Sequence, residues 1–362
     1  MINEKRLVET FLNLVQIDSP SGKEKNIIKY LHNYINQLNI PVVVEIDNFG
    51  NLICKTKNSK TPILLTAHVD TVEPGCGIKP IIEDEVIKSS KTTILGADNK
   101  VGVAVILECL QSIYTDTNTL PDLEIVFTVS EEIGNLGAVN LDYSSLKSKV
   151  GFSFDGGDIV GSITTASPFY TRFDATIIGK STHAGKPELG INPLPILVHA
   201  MQNIPLGRLE NGTLCNIGII QGGQARNSVP AELKISGEVR SYNEQTLEQT
   251  LDNIYLQLDS SCKQLHAQLN FEKVRENGGF ELSNSDDDIS KVINILEMSG
   301  FQINLIKSLG CYDANIFADH GVKIINFGNG SLFNHTVDEQ ISIQNLVGTA
   351  NLCYAVIKNY KI

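Results

Sequence analysis

Ligand-type side chains recur in this sequence where apolar runs end. The stretch LLTAHVDTV carries His68 and Asp70, which share one face of an extended chain because residues i and i+2 do. ILGADNKVGVA places Asp98 just ahead of a helical pattern, VFTVSEEIG ends on Glu131 and Glu132, FSFDGG ends on Asp155, and LFNHTVDE carries His335 beyond the run KIINFG. His68, Asp98, Glu132, Asp155 and His335 offer two imidazoles and three carboxylates, a mixed nitrogen and oxygen set suited to zinc or a similar first-row divalent ion. One ion has no need of so many donors. Two ions about 3.5–4 Å apart, bridged by one carboxylate, use all five and leave each ion three protein ligands and an open position for water. Asp70 then stands behind His68 and holds its ring. Glu131 is left as an uncoordinated carboxylate beside the ions, which is what a general base for an activated water requires.

Each piece alone has a plainer explanation. A single His-x-Asp is more often a buried hydrogen-bonded pair, adjacent glutamates are usually surface charge, and an aspartate before two glycines is usually a turn residue. Their coincidence argues for a shared site, because every one follows an apolar strand and every one is a ligand type.

The elements that must position these residues alternate. KNIIKYLHNYINQL has helical amphipathic spacing, while VVVEID, NLICKTK and PILLTAHVD read as strands. KVGVAVILECLQSI reads as a buried helix, DLEIVFTVS as the next strand, and VGFSFDGG as another short apolar run. Strands alternating with helices predict an α/β sheet covered on both faces, where ligands bind outside the carboxyl ends of the strands. The middle of the chain differs. FYTRFDATIIGKS and AELKISGEVRSY alternate as strands, and NPLPILVHAMQNI and NEQTLEQTLDNIYLQLDSSCKQL are helical. Two helices on a small antiparallel sheet would make an inserted module of roughly 100 residues. Helix and strand alternate again in ISKVINILEMSG, KIINFG and SIQNLVGTANLCYAVIKNY, and SNSDDD ahead of them reads as a turn and helix N-cap. The expected organisation is a catalytic domain in two parts, 1–168 and 278–362, around an insertion at 169–277.

Bulk properties narrow the class. A chain of 362 residues, 42% hydrophobic and 19% charged, can bury a sizeable core, and it has no apolar run long enough to span a membrane. The N-terminal MINEKRLVETFLNLVQ mixes charge with apolar residues and does not read as a signal peptide. A net charge of −12 without a basic block argues against nucleic acid, and clustered carboxylates can be offset by bound metal. Seven scattered cysteines without a Cys-x-x-Cys fit a reducing cytosol.

In this order, AHVDTV, GADNKVG, SEEIG, FDGG and HTVDE resemble the di-zinc M20 peptidases, a family of tripeptide aminopeptidases, carboxypeptidases, dipeptidases and aminoacylases. The resemblance covers nearly the whole chain and implies a mixed-sheet α/β catalytic domain with an inserted α+β lid that often mediates dimerisation. By resemblance, Asp98 bridges the two ions, His68 and Asp155 complete one, and Glu132 and His335 complete the other. Glu131 is then the general base and Asp70 the orienter of His68. The lid segment GKSTHAGKPELGINP matches with His183, which would contact the reacting carbonyl, often from a partner subunit. GGQARNSVPAELKISGEVRS matches with Asn227 and Arg240, which would contact substrate carbonyl or carboxylate groups. Read without the resemblance, His183 is a solvated loop residue and Arg240 pairs with Glu238 or Glu244.

Two positions depart from the family pattern. LGCYDANIF has Cys311 and Tyr312 where small residues are usual, although Asp313 is retained, and Asn99 stands where peptidase T-like members commonly carry a second aspartate. TAHVDTVEP, LGADNKVG and FTVSEEIGNLGA are most similar to the tripeptidase branch. The expectation is therefore a cytoplasmic exopeptidase acting on short peptides with two divalent ions, zinc first and cobalt or manganese as alternatives, and with a homodimer formed through the lid. The rival activities on the same site are carboxypeptidase and N-acyl-amino-acid amidohydrolase. A non-catalytic metal-binding or assembly protein is the rival of another class, and the uncoordinated Glu131 argues against it.

Overall fold

The computed structural model describes residues 1–57, 60–283 and 285–361, and the chain divides into two compact units. The first comprises Met1–Thr165, Leu282–Ser308 and Tyr312–Ile362, and the second Ala166–Glu281 with Leu309–Cys311.

The first unit is built on a mixed sheet. Its path runs Val42–Ile46, Leu52–Thr56, Leu123–Thr128, Ile63–His68, Val150–Ser153, Lys323–Phe327 and then Ser162–Ser167. The middle of this path is parallel: Ile63–His68 pairs in parallel with both Leu123–Thr128 and Val150–Ser153, and Lys323–Phe327 pairs in parallel with Val150–Ser153. The outer strands join antiparallel. Residues of ILLTAH, LEIVFT and VGFS are buried along their whole length, which is why they read as continuous apolar runs and not as alternation. Glu4–Val15, Ala97–Thr117 and Ile343–Asn359 pack against one another over the sheet, Ala97–Thr117 almost wholly buried, and they share one apolar core with it.

Parallel strands all end on one side, so the register brings the chemistry together. His68 closes its strand opposite Thr128, three residues before Glu131, and Asp155 lies two residues beyond Ser153. Asp98 sits where helical geometry has not begun: Asp98 and Asn99 are non-helical, and Gly96 ahead of them takes the left-handed φ of 74°. Asn99 is buried, and its Oδ1 accepts the backbone N–H of Gly102, a capping role for the residue that departs from the family pattern.

Two features were not foreseen. The polar run SITTAS forms the strand Ser162–Ser167, and Ile81–Glu83, Val86–Lys88 and Gln340–Ser342 form a small antiparallel sheet. Neither carries an apolar periodicity that would announce a strand. In SNSDDD, Asp286 caps the helix Asp287–Met298 by accepting from Asp288 and Ile289, while Asn284 lies outside the described residues.

The second unit has a five-stranded antiparallel sheet in the order Gly207–Arg208, Leu214–Gly222, Glu232–Ser241, Phe169–Ile178 and Gln268–Asn277. Alternate residues Thr171, Phe173, Ala175 and Ile177 are buried, and the helices Pro193–Met201 and Glu244–Gln264 cover them through Ile196, Leu197, Leu251, Ile254 and Leu258. Of this sheet, the sequence pattern showed only Phe169–Ile178 and Glu232–Ser241 clearly. Leu214–Gly222 and Gln268–Asn277 are mostly exposed, so burial leaves a faint pattern in them. No helix among the described residues is long and apolar enough to cross a membrane.

Candidate metal centre

Asp98 stands between two histidines. Its Oδ1 is 3.1 Å from His68 Nε2 and its Oδ2 is 3.3 Å from His335 Nε2. On the His68 side lies Asp155, with Oδ2 3.9 Å from the same Nε2. On the His335 side lies Glu132, with Oε1 3.0 Å from Nε2. Ligand atoms of His68, Asp98 and Asp155 all lie within 4.8 Å of one another, as do those of Asp98, Glu132 and His335. The two triplets share Asp98. A third grouping, His68 with Glu131 and Glu132, satisfies the same distance. The five ligand-type residues singled out in the sequence are therefore drawn together from four strand ends and one helix start.

The electrostatics of this cluster call for a cation. Burial alone would lower His68, but Asp70 and Asp98 override it and raise the imidazole well above its ordinary range. Hydrogen bonds to Asp98 and Glu132 push His335 up to about 10, although its side chain is half exposed. Burial also works against charge on Asp98, and the two imidazoles reverse it and hold that carboxyl far below the usual range. Asp155 is raised by burial and by the charge of Asp98. Glu131 is raised by burial, with Asp155, Asp313 and Glu132 adding repulsion against the pull of His68. A cluster that draws protons onto both imidazoles and onto excess carboxylates lacks positive charge, and divalent ions would supply it. Donor types, spacing and charge all fit such ions.

Asp70 is fully buried beneath this cluster. His68 Nδ1 is 3.2 Å from the Asp70 backbone oxygen and 3.5 Å from its carboxylate. The carboxylate also accepts the backbone N–H groups of Glu131 and Glu132 and the hydroxyl of Ser21. Burial opposes its charge, and these donors, His68 first, keep its carboxyl below the usual range.

Comparisons with known proteins find peptidases. Residues 170–266 match the peptidase dimerisation domain of the M20 group, and residues 77–160 match the M42 glutamyl aminopeptidases. The chain is 35% identical to YqjE of Bacillus subtilis (strain 168), over 99% of both chains. Among solved structures, aminopeptidase PepT from Bacillus cereus ATCC 10987 is 34% identical with a TM-score of 0.91, covering 99% of both chains. A tripeptidase from Staphylococcus aureus subsp. aureus Mu50 is 31% identical with a TM-score of 0.94, covering 99% of this chain and 98% of that one.

The chain belongs to the M20 peptidases. It is a metal-dependent exopeptidase of the tripeptidase-like kind.

Around its centre, this M20 peptidase carries supports that sequence reasoning missed. Glu339, in the HTVDE segment, is buried and accepts the backbone N–H groups of Leu95, Gly96 and Asp98, so it pins the loop that presents Asp98. Burial pushes its carboxyl up to about 7 despite those donors. Asn334 donates to Asp98 Oδ2 at 3.2 Å. Glu24 accepts the N–H and hydroxyl of Ser130, holding that residue in a left-handed backbone with φ of 55° just before the glutamate pair. Gly137 must be glycine for a steric reason: a Cβ there would stand 2.3 Å from the Val129 carbonyl oxygen. Lys100 is wholly buried, with Nζ on the carbonyl of Ile17, and burial lowers it to about 8. None of these residues has a ligand-like sequence context. Only the position of Glu339 within HTVDE offered a hint.

Tyr312 and Cys311 take different roles. The Tyr312 hydroxyl bonds Ser308 at 2.6 Å and lies beside Gly156 of the FDGG loop, while Cys311 is a half-buried thiol 4.0 Å from the Pro168 carbonyl. In the second unit of this M20 peptidase, His183 is exposed, and its Nδ1 accepts the N–H of Gly185. Thr182–His183 pairs antiparallel with Ser228–Val229, and the exposed Asn227 just ahead of that strand accepts the Ala184 N–H on its carbonyl. Arg240 bonds the Leu309 carbonyl at 2.9 Å and Glu238 at 3.1 Å, and its guanidinium carbon lies 4.4 Å from the centre of the Tyr170 ring. The pairing with Glu238 is the plainer partner weighed for it in the sequence, but the buried Nε of Arg240 has no partner among the described residues.

Proposed function

We propose that this M20 peptidase removes the N-terminal residue of tripeptides at a centre of two divalent ions. The observation that carries the reading is Asp98, whose two oxygens face two different histidines, with Glu131 alongside. Asp98 would bridge the ions, His68 and Asp155 would complete one site, and Glu132 and His335 the other. Zinc suits the donor set best, with cobalt and manganese as the other candidates. Bound there, the ions would lower the pKa of a water and polarise the scissile carbonyl.

The residues of the chain divide the remaining tasks. Glu131 accepts the proton of the attacking water and passes it to the leaving amine. Asp70 fixes the ring of His68 and the backbone of both glutamates. His183 donates to the developing oxyanion. Asn227 and Arg240 bind substrate carbonyl and carboxylate groups. The likeness to an aminopeptidase and a tripeptidase over nearly the whole chain supports the substrate class. The match to a dimerisation domain supports a homodimer formed through the second unit, and the scattered cysteines support a cytosolic location.

The test is a substrate panel with metal-loaded protein: a free tripeptide, its N-acetylated and C-amidated forms, and an N-acetyl amino acid. The reading expects turnover of the free tripeptide, loss on N-acetylation and weakened binding on amidation. Preferred cleavage of the N-acetyl amino acid would make the protein an amidohydrolase, and release of the C-terminal residue would make it a carboxypeptidase.

A further inference from the structure

Glu131 is not held by the metal ligands but by a small buried circuit. Asn135 Nδ2 donates to Glu131 Oε1 at 2.9 Å and to Asp313 Oδ1 at 3.1 Å. Both acceptors are carboxylates, so the amide must present its N–H groups, and both of its donors are used. Asp313 is itself anchored, since its other oxygen accepts the hydroxyl of Thr128 at the end of the strand beside His68. The backbone closes the same loop: the N–H of Asn135 bonds the carbonyl of Glu131 at 2.7 Å, and the N–H of Leu136 bonds the carbonyl of Ser130. Asn135 is buried and left-handed at φ 55°, a conformation that asparagine tolerates and branched residues do not.

We propose that Asn135 is a positioning residue for Glu131: it occupies one carboxylate oxygen and thereby aims the other at the reacting water. This rests on Glu131 acting as the proton acceptor. With Oε1 satisfied by Asn135, the carboxylate keeps its other oxygen to spare. Asp313 and Thr128 keep the amide from swinging away. A catalytic group left free to rotate loses much of the advantage of being placed, and displacement by about 1 Å can cost roughly a hundredfold in rate.

Asn135→Gly removes the side chain while keeping the left-handed backbone at ease. Asn135→Asp keeps the shape without the donors and serves if the glycine variant does not fold. Kinetics and metal content are measured for each, for Glu131→Gln, and for the double variants. We expect kcat for Asn135→Gly to fall about 10- to 100-fold, with KM and metal content unchanged and no further loss when it is combined with Glu131→Gln. Additive losses, a loss of metal, or wild-type kcat in both Asn135 variants would overturn the positioning role while Glu131→Gln remains impaired. Full activity in Glu131→Gln would instead remove Glu131 as the base, and the positioning role with it.

Discussion

One oxygen of Asp70 serves both His68 and Glu131: Oδ1 lies 3.5 Å from His68 Nδ1 and accepts the Glu131 backbone N–H at 2.9 Å. The strand end that carries His68 and the loop that carries Glu131 are thus tied to one buried carboxylate, which sets the distance between them.

Removing that carboxylate should loosen the metal site. Asp70→Ala is expected to weaken metal binding or activity about 10- to 100-fold, measured by competition with a chelator. The effect should be partial, because His68 Nδ1 keeps the Asp70 backbone oxygen at 3.2 Å. Unchanged affinity and activity would leave Asp70 a folding residue only.

The metal count follows from Asp98. Elemental analysis of the loaded protein should give about two ions per chain. Asp98→Ala should empty both sites, and His335→Ala mainly one. Loss of the same single ion in both variants would remove the bridge.

The lid residue should act without touching metal binding. His183→Ala is expected to lower kcat/KM by roughly 10²–10³ with metal content unchanged, as for the loss of one oxyanion donor. If subunits share sites, mixing His183→Ala with Glu131→Gln chains restores activity once subunit exchange is verified. No recovery would assign His183 to its own chain.

A further expectation concerns acid stability. Lys323 bonds Asp286 at 2.6 Å and Asp288 at 2.7 Å, tying the start of the helix Asp287–Met298 to the strand Lys323–Phe327. Burial alone would raise both carboxyls, but Lys323 reverses this and holds them below their ordinary range. Depressed carboxyls stabilise the fold above their unfolded pKa of about 4, and that contribution disappears as pH falls through the folded value. Lys323→Ala should therefore cost roughly 1 kcal/mol near neutral pH and progressively less on acidification. A melting difference independent of pH would show that packing, not charge, sets the contribution.

How far the site was legible depended on its residues. His68, Asp98, Glu132, Asp155 and His335 were visible because parallel strands end on one side, so a ligand type after each apolar run already implies convergence. The strand Ser162–Ser167 was not visible, because its polar residues SITTAS are buried and show neither alternation nor an apolar run. The supports were hidden for another reason. Glu339 and Glu24 act by accepting backbone N–H groups and Asn135 by donating to the carboxylates of Glu131 and Asp313, and such contacts depend on which loops meet, which no spacing records. Asp313 was noticed only as a retained position. Its bonds to Thr128 and Asn135 give it a physical place beside Glu131.

The most direct test is the Glu131→Gln variant assayed for metal and turnover on the same preparation. The substitution keeps shape and removes the proton acceptor. The account predicts kcat lower by about 10²–10⁴ with metal content near wild type. Loss of metal would make Glu131 a ligand, as its grouping with His68 and Glu132 permits, and retained turnover would show that another group takes the proton.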